Sequence, residues 1–366
     1  MAQRIRILLL IPHLGGGGAE QVVALLARGL SKEKYEVHLV VVTQADAAAT
    51  SLPPWVTVHA LGARRVRAGA FPLLRLVWQL KPELILSGAV EANFLVLLMR
   101  AFLPPQTCVL VRQSGTVSAA LAFGGLPGYT RGLYRLLYRH ADRVICQSRA
   151  MAEDLKRELG LGGEQIAVLP NPVDLEGIRA ARNAPSEWSG AGPHLLSAGR
   201  LAPEKGFDLL LEALAIVRER FAHADLIIAG AGREETALKS LCSSLGLEAA
   251  VRFATHVDCP YAFFPGATLF VLSSRHEGMP NALLEAAAAG LPLVALPASG
   301  GVADLLGNQP GAWLAPEISS KALAATLVSA LEALGPGERF YHAFFPSSGD
   351  LAKQAAGKRE ENQVPA

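Results

Sequence analysis

The chain has 366 residues, of which 51% are hydrophobic and 18% charged, and its formal net charge is +2. A chain this long exceeds the size at which one hydrophobic core usually divides, and the composition excludes a disordered or fibrous protein, so two globular domains are expected. The four cysteines, Cys108, Cys146, Cys242 and Cys259, are scattered without a CxxC pair, which excludes a zinc ribbon or disulfide framework and fits a reducing compartment.

Apolar runs along the chain predict strands at RIRILLLIP, YEVHLVVVT, VTVHAL, ELILSGA, CVLVRQS, RVICQS and QIAVLP, with helical patterns such as AEQVVALLARGL, EANFLVLLMRAF and RAMAEDLKRELG between them. Strand and helix in alternation imply a doubly wound parallel sheet. Residues 171–193 are rich in turn formers and read as a linker. The alternation then resumes with HLLSAG, FDLLLEALAIVRERF, LIIAG, a helix from Glu234 to Leu245, VRFAT, TLFVLSS, a helix after Pro280 and LVALP. The expected organisation is a domain over 1–170, a linker over 171–193, a second domain over 194–335 and a C-terminal extension and tail over 336–366. The LLLIP run is too short for a cleavable signal peptide, and FLVLLMRAFL, broken by Arg100, is too short to span a bilayer.

The small net charge conceals an asymmetry. Residues 1–160 hold 19 Lys and Arg against 10 Asp and Glu, and the remainder holds 15 against 22. Basic residues of the first half sit among apolar ones, as in ARRVRAGAFPLLRLVWQL (63–80) and YTRGLYRLLYRH (129–140). Such segments suit an anionic membrane surface; they equally suit amphipathic helices with arginines on the wet face.

In open α/β sheets ligands bind where strands give way to helices. The first such loop is HLGGGGAE, whose glycines, Gly17 and Gly18 among them, let the backbone approach a ligand closely. Its spacing is not GxGxxG, which argues against a dinucleotide. RLAPEKG places Arg200 and Lys205 together in another strand-to-helix loop, a pairing suited to a diphosphate. In EGMPNALLE, Glu277 precedes a helix starting near Pro280 and Glu285 lies in its second turn, with Gly290 suited to the left-handed cap. A helix N-terminus attracts an anion, and the two carboxylates can accept hydrogen bonds from hydroxyls of whatever the anion carries. The plainer alternative is two solvated helix glutamates.

Taken together, GGGGAE, LPNPVD (169–174), SAGRLAPEKGFDLLLEAL (197–214), LIIAGAG and SSRHEGMPNALLEAAAAGLPLVA (273–295) resemble retaining glycosyltransferase family 4, over nearly the whole chain. The resemblance implies a GT-B fold, an α/β architecture of two doubly wound Rossmann-like domains facing across a cleft. It implies an acceptor-binding N-terminal domain and a nucleotide-sugar-binding C-terminal one. Arg200 and Lys205 match the pair that neutralises the donor diphosphate, and Glu285 matches the glutamate that holds the ribose. Glu277 would face the transferred sugar, making Glu277, Arg200 and Lys205 the catalytic set, without an assigned nucleophile. Backbone groups of Gly278, Met279, Asn281 and Ala282 would line the sugar and β-phosphate, and Gly17 and Gly18 would close on that phosphate. The base would lie near His256, where Thr255 replaces a common glycine. Arg112, Gln113 and Ser114 would lie on the acceptor side, Arg112 touching acceptor phosphate or donor, or serving only the strand end.

No DxD sequence occurs, so cations are expected in place of a metal, with no cofactor. The expected activity moves a hexose or N-acetylhexosamine, from UDP in preference to GDP, to a lipid-linked or cell-surface glycan such as a lipopolysaccharide core. The expected location is cytoplasmic and peripheral at the inner face of the membrane. A GDP-mannose-dependent mannosyltransferase, a sugar-nucleotide epimerase of the same fold and a non-catalytic binding protein are the alternatives. The segment 337–357 only partly resembles the closing helix of many relatives.

Overall fold

The computed structural model describes residues 4–14, 18–43, 52–123, 129–255, 260–298, 300–307, 309–335 and 338–340. The chain forms two compact units, one ending at Pro172 and the other beginning at Val173.

The first unit contains, in chain order, β1 (Ile5–Ile11), α1 (Gly18–Gly29), β2 (Tyr35–Val41), β3 (Val56–Ala60), α2 (Ala70–Leu80), β4 (Leu84–Ser87) and α3 (Val90–Leu98), then β5 (Cys108–Arg112), α4 (Val117–Phe123), α5 (Thr130–Tyr138), β6 (Arg143–Cys146), α6 (Arg149–Leu159) and β7 (Ile166–Val168). Its strands pair in the order β3-β2-β1-β4-β5-β6-β7, every pair parallel. Strands of a parallel sheet are covered on both faces, which is why they read as unbroken apolar runs. Leu8, Leu10, Val109 and Val144 fill one core, while Ile7, Leu9, Ile11 and Ile145 fill the other. Between β1 and β4 the strand order reverses, opening the crevice where such sheets take ligands. α6 shows how local sequence sets an element: Ser148 Oγ accepts a hydrogen bond from the Met151 amide at 3.2 Å, and the helix stops at left-handed Gly160.

The second unit comprises α7 (Leu175–Ala181), β8 (His194–Ala198), α8 (Phe207–Arg220), β9 (Asp225–Ala229), α9 (Glu235–Ser244), β10 (Val251–Ala254) and β11 (Leu269–Leu272), followed by α10 (Asn281–Ala288), β12 (Leu293–Ala295), α11 (Val302–Leu306), β13 (Ala312–Leu314) and α12 (Ser320–Ala333). Its parallel sheet runs β10-β9-β8-β11-β12-β13, with the reversal between β8 and β11. Four elements of this unit lie outside the sequence reading: α7, α11, β13 and the 14-residue α12. The turn-rich stretch 171–193 holds α7, because Asp174 Oδ1 accepts a hydrogen bond from the Gly177 amide and Ile178 and Ala181 are buried. β13 extends the sheet with three residues, too few to leave a pattern in the sequence. Beyond 340, the C-terminal segment lies outside the described residues. No helix among the described residues is long and apolar enough to cross a membrane.

Candidate functional site

The loops that follow β8 and β11, the two strands flanking the reversal, are fastened to each other. Gly206 ends the RLAPEKG loop in a left-handed conformation (φ +63°), and a Cβ there would stand 2.1 Å from the Ser273 carbonyl oxygen, so only glycine permits the approach. Ser273 Oγ donates to the Lys205 carbonyl at 2.9 Å, and the Arg275 amide donates to the Glu204 carbonyl at 2.8 Å. The Arg275 guanidinium grips both Asp208 carboxylate oxygens, at 2.8 and 2.6 Å, and also reaches the Pro203 carbonyl at 2.9 Å. Although burial would raise the pKa of Asp208, the hydrogen bonds from Arg275 hold it below its usual value.

This fastening delivers Lys205 to Glu277. Lys205 Nζ lies 2.6 Å from Glu277 Oε1, and Ser274 Oγ donates to the same oxygen at 2.6 Å. The Glu277 side chain is only 8% exposed and that of Lys205 24%, so the pair is held largely out of water. Arg200 is different. Its exposed side chain pairs with Glu204 at 2.8 Å, a surface contact worth little, which leaves the guanidinium free to swing onto a ligand. Gly300 backs the Glu277 loop, because a Cβ there would meet the Glu277 carbonyl oxygen at 2.0 Å; the Gly301 amide donates to the Gly278 carbonyl at 3.0 Å.

α10 starts directly after this loop. Pro280 precedes it and no side chain caps it, so its first amides, at Asn281 and Ala282, form the end that favours an anion. Met279 is half-buried and Gly278 buried in the approach to that end. The helix closes with Gly290 at φ +80°, as its sequence predicts. Glu285 is buried in the second turn. Burial pushes its carboxyl up to about 7, the neighbouring charge of Asp174 acts in the same direction, and a hydrogen bond with Tyr261 opposes them. The two glutamates therefore differ in kind: Glu277 is ion-paired and Glu285 is desolvated.

The three residues predicted for the acceptor side do not converge. Arg112 is buried at the end of β5 on the face covered by α1; its Nη2 donates to Asn171 Oδ1 at 2.6 Å, and its Nη1 has no hydrogen-bond partner among the described residues. Burial lowers its pKa to about 10 against the charge of Glu20. Gln113 points to the opposite face, where Tyr138 donates to its Oε1 at 2.6 Å and its own Nε2 donates to the Gly115 carbonyl at 3.0 Å. Ser114 is exposed. Gly18 is the first residue of α1, and Glu20 in its first turn lies 3.4 Å from His13 Nε2. Gly17 and His256 lie outside the described residues.

Sequence reasoning passed over Ser274, Arg275, Asp208, Asp174 and Tyr261. Ser274 and Arg275 stand just ahead of Glu277, so proximity to a candidate carboxylate was the available signal. Asp208 and Tyr261 carried none, because their partners lie 67 residues away in one case and on another element in the other. Among the described residues, no three His, Cys, Asp or Glu side chains are grouped to hold a metal ion.

Comparison with known proteins covers both units. The family model for group 1 glycosyl transferases matches residues 181–340, and that for Glycosyltransferase Family 4 matches residues 16–176. The N-acetylgalactosamine-N,N'-diacetylbacillosaminyl-diphospho-undecaprenol 4-alpha-N-acetylgalactosaminyltransferase of Campylobacter jejuni is 27% identical over 314 residues, covering 82% of this chain and 83% of its own. The lipopolysaccharide core biosynthesis glycosyltransferase LpsE of Rhizobium meliloti is 32% identical over 163 residues, 44% of this chain and 46% of its own. Among solved structures, sucrose-phosphate synthase from Thermosynechococcus elongatus superposes with a TM-score of 0.78 at 17% identity, covering 98% of this chain and 99% of its own. HepE from Anabaena, solved with UDP and glucose, superposes with a TM-score of 0.77 at 18% identity, covering 98% of this chain and 100% of its own. At such identities the likeness is one of fold, and that fold is GT-B.

Proposed function

The chain belongs to the two-domain glycosyltransferases of family 4 and group 1, and from that premise we propose that it is a retaining enzyme moving a hexose or N-acetylhexosamine from a UDP-sugar to a lipid-linked or cell-surface glycan. The observation that carries the reading is the Lys205–Glu277 pair, 2.6 Å apart beside the uncapped start of α10. In the absence of donor, Glu277 holds the ammonium that the diphosphate needs. When the donor enters, Lys205 and Arg200 move onto its phosphates, the amides at the start of α10 take the β-phosphate, and Glu277 is released to accept hydrogen bonds from the sugar.

The diphosphate is the leaving group, so positive charge in place before the bond breaks stabilises the charge that develops there. Two side-chain cations and a helix end supply that charge without a metal. Glu285 accepts from the ribose hydroxyls, and as a buried carboxyl with a raised pKa it does so best once ionised. The acceptor oxygen bonds to the anomeric carbon on the face from which the diphosphate departs, its proton passing to the departing phosphate oxygen, and no residue is assigned as nucleophile. The acceptor belongs to the N-terminal unit, and a lipid-linked acceptor places the enzyme at the inner face of the membrane. The Campylobacter and Rhizobium relatives, named as a diphospho-undecaprenol transferase and a lipopolysaccharide core transferase, support an acceptor of that class.

A thermal-shift panel of UDP, UDP-N-acetylglucosamine, UDP-glucose, GDP and GDP-mannose tests the donor. A ligand at a hundred times its dissociation constant stabilises by about 2.7 kcal/mol, so UDP ligands should raise the unfolding temperature clearly. A shift with GDP and none with UDP would convert the reading to a mannosyltransferase. Incubation with UDP-N-acetylglucosamine alone, yielding a second sugar nucleotide, would point instead to an epimerase. Retention is read from the anomeric signals of the product, and inverted configuration at the transferred carbon would overturn it.

A further inference from the structure

The two basic segments of the first unit have the same character in the sequence and different fates in the structure. In α5, Tyr134 and Tyr138 are fully buried, Arg131 is paired with Glu158 at 2.8 Å, and Arg135 Nε donates to the Glu158 carbonyl at 2.8 Å. Within the helix both aromatic side chains are spent on the core and both arginines on α6, and the segment's one exposed aromatic, Tyr129, stands ahead of it.

The α2 segment has done neither. Arg64, Arg65, Arg67 and Arg75 are exposed, and none has a side-chain partner among the described residues. No Asp or Glu occurs between Asp46 and Glu83. On α2 itself, Leu73 and Val77 face the core, while Phe71, Arg75 and Trp78 stand at i, i+4 and i+7 on the opposite stripe. Phe71 is 76% exposed and Trp78 50%. The Trp78 indole donates to the Phe102 carbonyl at 2.9 Å, which joins this stripe to the exposed Phe102 and, one turn earlier, Leu98. An open cavity of about 350 Å³ lies between α2 and the end of β3, lined by His59, Phe71, Arg75 and Gln79 among others.

Resting on the reading of a membrane-presented acceptor, we infer that the α2 segment, residues 64–79, is the face that meets the bilayer, and that the cavity beside Arg75 seats the phosphate of an anionic phospholipid. Charge complementarity selects this occupant. Four guanidinium groups without a partner among the described residues attract a negative surface, the one carboxylate linked to the cavity wall, Glu36, being engaged by Arg6 and His38, and Phe71 and Trp78 on the same stripe supply the apolar area that enters the headgroup region. Inside the cavity, donors from Arg75 and Gln79 meet the phosphate while Phe71 covers the first methylenes. The ties to Glu158 exclude α5 from that role.

Co-sedimentation of the full chain tests this, using vesicles of equal parts phosphatidylcholine and phosphatidylglycerol, and of phosphatidylcholine alone, at low and high salt. The wild type should pellet with the anionic vesicles at low salt and return to the supernatant at high salt. Phe71→Ser with Trp78→Ser, and separately R64Q/R65Q/R67Q, should each weaken that partition about tenfold or more, whereas R131Q/R135Q should leave it within about twofold. All substituted side chains are exposed, whether in α2 and its approach or in α5, and an unchanged thermal-shift response to UDP confirms that each variant is folded. If the wild type stays in the supernatant with every vesicle, the membrane reading itself falls. If it pellets while the α2 variants pellet equally well, or while the α5 variant loses as much, the assignment to α2 is overturned and the membrane reading stands.

Discussion

The two units share one architecture and divide the physical work. Both are parallel sheets with one reversal of strand order, yet the first carries the excess of basic residues and the second the excess of acidic ones. The strongly exposed aromatic side chains among the described residues, Trp55, Phe71, Trp78, Phe102 and Tyr129, all belong to the first unit; the second exposes only aliphatic ones, such as Ile216 and Ile318. In the second unit, by contrast, charge is paired or buried around the candidate site: Lys205 on Glu277, Arg275 on Asp208, Glu285 beside Tyr261. One unit keeps its cations available to a surface, and the other preorganises its cations and carboxylates for a small anion.

The sharpest way to test that contrast is pH. The native chain holds the Glu285 proton that the unfolded chain releases above about pH 4.5, so the unfolding free energy falls as pH climbs from there to about 7. The loss attributable to this carboxyl is on the order of 3 kcal/mol. Glu285→Gln should therefore track the wild type below that window and exceed it increasingly through it, as measured by urea unfolding at several pH values. Parallel curves would mean that Glu285 is hydrated and that the second unit does not store a buried carboxyl.

Next comes the ion pair. Lys205→Ala should weaken UDP binding by roughly 1.5 to 3 kcal/mol, the scale of a charge-assisted hydrogen bond. Titration calorimetry reads this directly, and an unchanged dissociation constant would remove Lys205 from the donor site. The same substitution should leave vesicle binding untouched, since that property is assigned to the other unit.

In the first unit, Tyr138→Phe should cost about 1 to 2 kcal/mol of stability, because the hydroxyl accepts from Asn93 Nδ2 at 3.0 Å and donates to Gln113 Oε1, and its loss leaves that buried oxygen without its donor while Asn93 keeps only the Arg112 carbonyl. UDP affinity should not change; if it does, the buried network at the end of β5 belongs to the donor site as well. The smallest effect is expected for Arg220→Gln, whose exposed pair with Glu332 spans 3.4 Å and should matter by less than about 0.5 kcal/mol. A larger effect would show that surface charge holds α8 to α12 more strongly than their apolar packing.

By itself the sequence determined the alternation of strand and helix, the strand-to-helix loops that hold Arg200, Lys205 and Glu277, and the spacing of Glu277 and Glu285 around a helix start. These are local matters: apolar runs, glycines, a proline and a helical period are written in consecutive residues. Tertiary structure decided the rest, because it depends on which distant segments the sheet brings together. It paired Lys205 with Glu277 across 72 residues and bolted their loops with Arg275 and Asp208. It buried Glu285 so that one of two similar carboxylates titrates near neutrality. It turned Arg112, the last residue of β5, and Gln113, just beyond it, to opposite faces, since successive residues of an extended chain alternate. And it tied the arginines of α5 to Glu158 while leaving those near α2 free, a distinction invisible in two segments of like composition because it rests on what each helix packs against.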